Sequence, residues 1–157
     1  MSSLMDLVAG GTRDILLALS VDDVAGFADP DRFTAHLPLG GGLDPTWLDL
    51  FSEAARTVTG ADDPVDFLDA RIELDGAAAA SVERIVERVD RDWVRAVAAI
   101  PDELVGPLAA RWIEVLEEEL GQLQREEKPW IRDLAERIVR FARAADGARD
   151  VVFAWGF

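Results

Sequence analysis

The C-terminal run Val151-Val152-Phe153-Ala154-Trp155 is apolar at every position. An amphipathic helix or a half-buried strand alternates apolar with polar residues, so an uninterrupted run of this length reads as a strand buried on both faces. Such a strand needs neighbours on each side and a covering layer above and below. The rest of the chain must supply them. With 157 residues the chain matches the size of one domain, 1–157, and can bury roughly 68–70% of its unfolded surface.

Candidate partner strands lie early. Phe33, Ala35, Leu37 and Leu39 alternate with Thr34 and His36, the pattern of a half-buried strand, and Pro38 places it at an edge or ends it there. The run Ile15 to Leu19 fits strand or helix, and its length of about five favours a buried strand. Before it, Leu4 to Ala9 reads as a short turn or helix ended by Gly10-Gly11. Arg71 to Leu74 fits strand or helical continuation equally.

Helical signals dominate the remainder. Ser20-Val21-Asp22-Asp23 reads as a capping box opening a short helix to about Ala28, stopped by Asp29-Pro30. Asp44-Pro45 caps a helix carrying Trp47, Leu50, Phe51, Ala54 and Val58 to Gly60. Ser81 opens a stripe of Val82, Ile85, Val86, Val89, Trp93, Val97 and Ile100, with Glu87 four residues before Arg91, closed by Pro101. A further helix is expected from Asp102 to Glu127, with Pro107 and Gly121 as soft points. The last opens at Pro129, buries Ile131, Leu134, Ile138, Phe141 and Ala145, pairs Asp133 with Arg137 and Glu136 with Arg140, and ends at Asp146-Gly147. The predicted class is α+β and predominantly helical, with five to six helices covering a small sheet that includes the C-terminal strand.

Composition narrows the chemistry. The absence of cysteine excludes disulfides, thiolate metal ligands and cysteine nucleophiles. The N-terminus has no basic region and carries Asp6, and no apolar run approaches the roughly 18 residues of a membrane span, so a cytoplasmic protein is expected. The net charge is −15. Residues 1–78 hold 15 acids and 4 bases, residues 79–157 hold 16 and 12. Such a field disfavours nucleic acid and anionic lipid, and it attracts a basic protein partner if the acids share one face.

Four features are candidates for chemistry. His36 is the only histidine, so a Ser–His–Asp triad or a histidine general base can exist only around it, and a two-histidine metal site cannot form. The alternating pattern puts it on the side away from the core, where a solvated ring is the plain expectation. Asp62, Asp63, Asp66, Asp69 and Glu73 have helical spacings that would stack carboxylates for a hard cation such as Mg²⁺, with Asp62, Asp66 and Asp69 as ligands, but nothing fixes that geometry and helix caps with a solvated face are the plain expectation. Gly40-Gly41-Gly42 precedes a helix start, but Asp44 would occupy the free amides and no P-loop lysine follows, so it reads as a hinge. Trp47, Trp93, Trp112 and Trp155 fall on apolar stripes. Trp130, beside Pro129 at a helix start, and Phe157 at the chain end are the aromatics placed to anchor a partner or a second copy.

The order of Ile15 to Ala28, Trp47 to Gly60 (ending Val58-Thr59-Gly60) and Ile131 to Trp155 resembles that of the YfbM-like family of uncharacterised bacterial proteins. The resemblance covers about half the chain. It implies a fold and not an activity.

Taken together, the residues point to a non-enzymatic protein-interaction or regulatory module without a cofactor, one version being a binder of a basic partner in the manner of immunity proteins. The alternatives are a small Mg²⁺-assisted carboxylate enzyme and a homodimeric structural protein.

Overall fold

A computed structural model describes residues 4–20, 24–39, 46–60, 68–72 and 84–156. Five antiparallel strands form one sheet: β1 (Leu4–Gly10), β2 (Ala35–Pro38), β3 (Leu68–Ile72), β4 (Arg84–Val89) and β5 (Asp150–Gly156), in the order β2-β1-β5-β4-β3. The C-terminal strand is central, as its composition requires. Leu7 and Glu87 flank Phe153, and Val8 and Arg88 flank Val152.

Period-two alternation sends the side chains of β1 and β5 to two different cores. Met5, Leu7, Ala9, Val151 and Phe153 belong to the larger one, which is completed by α2 (Thr46–Thr59), α3 (Arg91–Ala98), α4 (Asp102–Leu120) and α5 (Glu127–Ala145). Val8, Val86, Val152 and Ala154 face the smaller core, beneath α1 (Thr12–Ser20) and a 3-10 helix (Val24–Ala28). The protein is therefore α+β and mainly helical, with five α-helices among the described residues. Phe51 and Trp112 meet edge to face in the larger core, their centroids 5.1 Å apart, a geometry that favours the aromatic quadrupoles.

Several expectations need correction. Leu4 to Ala9 is strand β1, not a turn or helix. Its alternation was masked by Asp6, a carboxylate in an otherwise apolar segment. Ile15 to Leu19 lies in α1: Ile15, Ala18 and Leu19 are buried at i, i+3 and i+4, whereas Leu17 is 60% exposed. A run of five apolar residues carries both periods, and here the amphipathic one is realised.

The stripe from Ser81 to Ile100 is two elements, not one helix. Val82, Ile85, Val86 and Val89 fit a helical repeat, but Val86 and Val89 are buried in opposite cores, as strand residues three apart must be. Asp90 then caps α3, its Oδ1 accepting from the Asp92 amide at 2.8 Å. Glu87 consequently faces Trp155, whose Nε1 donates to it at 3.2 Å, rather than pairing with Arg91 along a helix. Arg71 and Ile72 resolve as strand.

Among the long helices, α4 stops at Leu120 instead of running to Glu127, because Gly121 takes a φ of 91°, open to glycine and costly for other residues. Pro107 sits inside α4 without splitting off its first turn. The last helix starts at Glu127, two residues before Pro129, and carries the anticipated buried stripe and both ion pairs, Asp133 with Arg137 at 2.9 Å and Glu136 with Arg140. Pro38 does lie in an edge strand. Gly40 to Asp44 falls outside the described residues.

Because Phe153 is fully buried against both flanking strands and the helical layer, Phe153→Ala is expected to cost about 3–5 kcal/mol in urea unfolding. Leu17→Ala, on the exposed face of α1, should change stability by less than about 0.5 kcal/mol.

Candidate functional site

Asp6 is the buried charged residue of the described chain, 4% exposed. It sits on the β1 face that carries Val8, above the smaller core, and β2 runs antiparallel beside it with Val8 opposite His36. One residue pair along, His36 Nε2 reaches Asp6 Oδ1 at 2.6 Å, and Phe27 of the 3-10 helix covers the imidazole with its centroid 5.5 Å away. The histidine side chain retains 13% of its surface. The expected solvated ring is thus corrected: the face of β2 away from the larger core is not open to water, because the 3-10 helix lies over it.

A buried carboxylate is costly without a partner, and a histidine on the neighbouring strand supplies one at short range. The pair also fixes the imidazole, leaving Nδ1 as its other polar atom. A triad would need a hydroxyl within reach. Ser52, Thr57 and Thr59 donate instead to the carbonyls of Leu48, Glu53 and Ala55, and they belong to α2 on the opposite face of the sheet. Among the described residues the His36 ring hydrogen-bonds to Asp6 and to no hydroxyl. The geometry serves to hold β2 onto β1 over the smaller core.

Asp62 and Asp66 lie outside the described residues, and Asp69 belongs to β3, so it does not sit on a helical face with carboxylates stacked at i, i+3. Among the described residues no group of three or more histidine and carboxylate side chains is close enough to hold a metal ion.

Charge is distributed more broadly than a one-face docking surface would need. Asp14 is carried by α1, whereas Asp49 and Glu53 are carried by α2 across the sheet, all three exposed. Several bases of the second half are engaged close to home: Arg111 with Glu114 at 3.0 Å, Lys128 with Glu117 at 3.3 Å and Arg143 with Asp102 at 2.7 Å. They therefore do not offset the acids of the first half by direct pairing.

Trp130 lies where its helix-start position suggested, 41% exposed. Its ring meets half-buried Trp47 edge-on at 6.2 Å, and Trp47 is held by its own carbonyl, which accepts from Trp112 Nε1 at 2.9 Å. The buried indole of α4 thus fixes the start of α2, and that in turn supports the exposed indole of α5. Glu126 and Glu127 precede Trp130 by about one helical turn at the start of α5, and Lys128 beside it pairs with Glu117 at the end of α4. Phe157 is outside the described residues. Sequence reasoning missed Asp6, for which the only signal was one acid inside an apolar stretch of a chain with one histidine.

No helix among the described residues is long and apolar enough to cross a membrane. The chain matches no protein-family model, no curated protein and no solved structure.

If the Asp6–His36 contact is a structural clamp, His36→Ala strands a buried carboxylate and should lower stability by about 2–3 kcal/mol, with Asp6→Ala/His36→Ala recovering part of that loss. Urea titration of the two variants checks this. A loss below about 0.5 kcal/mol for His36→Ala would remove the clamp role.

Proposed function

We propose that the protein is a non-enzymatic interaction or regulatory module that docks a basic protein partner at the end of the molecule marked by Trp130. The observation that carries this reading is the exposed indole, braced by Trp47 and preceded by Glu126 and Glu127 in the first turn of its helix. A tryptophan held rigidly at the surface loses little freedom on binding and offers a large apolar area, the property shared by most interface hot spots. Acids around it would select lysine- and arginine-rich surfaces, and the net charge of −15 would speed their encounter over a longer range.

The described first-half acids of α1 and α2 do not share one face, which counts against the immunity-like version, so the basic-partner reading rests on the surroundings of one anchor and not on a uniformly acidic face. A Mg²⁺ enzyme is not favoured by the strand placement of Asp69. Membership of the YfbM-like family, if it holds, adds a shared architecture and leaves the activity to be found by experiment.

Affinity capture with the intact chain as bait should recover a protein of basic isoelectric point. Trp130→Ala should weaken that association by about thirtyfold or more, the equivalent of roughly 2 kcal/mol at a hot spot, while leaving the unfolding midpoint nearly unchanged. Raising salt from 50 to 500 mM should slow association. If Trp130→Ala binds as tightly as the parent, the anchor is elsewhere. A dimer in light scattering at micromolar concentration that Trp130→Ala dissociates would assign the indole to a second copy instead.

A further inference from the structure

A cleft of about 320 Å³ opens at the other end of α5, between the end of β4, the first turns of α3 and the α5–β5 connection. Its lining includes Arg88, Arg91, Arg95 and Arg149, with Asp146 and Asp150 as its carboxylates. In a chain with 16 bases and 31 acids, four arginines around one small opening is a local reversal of sign.

Two of the neighbouring acids are hydrogen-bonded to backbone amides and not to these arginines. Asp150 Oδ2 accepts from the Thr12 amide at 3.3 Å, and Asp90 beside the cleft is engaged as the cap of α3. Arg91 Nη2 donates to the Arg149 carbonyl at 2.6 Å, joining the two walls and orienting one guanidinium. Arg88, Arg95 and Arg149 have no ion pair among the described residues, in contrast to Arg111, Arg137, Arg140 and Arg143. The four guanidinium groups lining the opening outnumber its two carboxylates, and an anion between them would relieve the repulsion that remains.

We propose that this cleft binds a compact oxyanion carrying two or more negative charges, of the pyrophosphate or polycarboxylate kind. The guanidinium fork matches two oxygens of a phosphate or carboxylate at once, and several forks on facing walls favour a ligand with separated anionic groups over a single small ion. The volume lies at the lower end of the range for small-molecule sites, which suits such a ligand and excludes a duplex. The site is independent of the Trp130 reading. Fifteen residues of α5 separate Trp130 from Ala145 at the cleft, about 22 Å at the helical rise.

The test is isothermal calorimetry and thermal unfolding of the whole chain with sodium pyrophosphate, sodium citrate and, at matched ionic strength, sodium chloride. A single binding event and a Tm rise of about 5–10 °C at a hundredfold excess over Kd are expected from pyrophosphate, citrate or both, and none from chloride. Pyrophosphate alone identifies a phosphate ligand, citrate alone a carboxylate one. Arg88→Gln/Arg149→Gln should abolish the heat and the shift; should that pair fail to fold, Arg95→Gln should weaken binding at least tenfold. No binding by either anion, or binding unchanged in the arginine variants, overturns the proposal.

Discussion

The position of β5 between β1 and β4 is the constraint on which everything else depends. A strand apolar at every position from Val151 to Trp155 can be stable only where both of its faces and both of its edges are covered, and the sheet meets all four conditions. β1 and β4 satisfy its backbone groups on either side. The two cores follow from the same requirement, four helices on one face and α1 with the 3-10 helix on the other. Once Phe153 and Val152 are committed to opposite sides, Leu7 and Val8 opposite them are committed too, and the register leaves no slack for a one-residue slip.

Much of this architecture was legible, and the failures share a physical origin. Long helices with a sustained stripe, such as that of Ile131 to Ala145, declare themselves because period 3.6 accumulates over several turns. Val82 to Val89 did not, since over eight residues valines at three- and four-residue intervals suit a helix face and also the two sides of a strand. Asp90 held the missing information as the cap of the helix that follows. Ile15 to Leu19 failed in the opposite direction, because a short apolar run says that a segment is buried and not how it is periodic. Asp6 hid β1: its cost is cancelled by His36, a residue thirty positions away whose proximity no local pattern can reveal.

The same limit governed the candidate sites. Trp130 was legible because its place at a helix start, beside a proline, is a local fact. The arginine cleft was not, because Arg88, Arg91, Arg95 and Arg149 come from three elements and converge only when β4 and β5 pair. An average charge of strongly negative sign concealed a small region of the other sign. The molecule has two chemically opposite ends joined by α5, an indole among glutamates and a cleft among guanidinium groups.

The pairing of β1 with β5 also sets when the fold can be completed. A ribosome delivers β1 before β5, and until β5 follows this strand has β2 on one edge and no strand on the other. Helices α2 to α5 can form meanwhile from local contacts, but the larger core lacks its floor until β5 has left the exit tunnel. From the emergence of β1 to that of β5 the nascent chain therefore carries an open apolar strand edge, a state in which chaperones or neighbouring nascent chains compete with the native partner. Asp6, a carboxylate in the middle of that waiting edge, makes it a poorer template for a stranger, and His36 covers it when β2 closes.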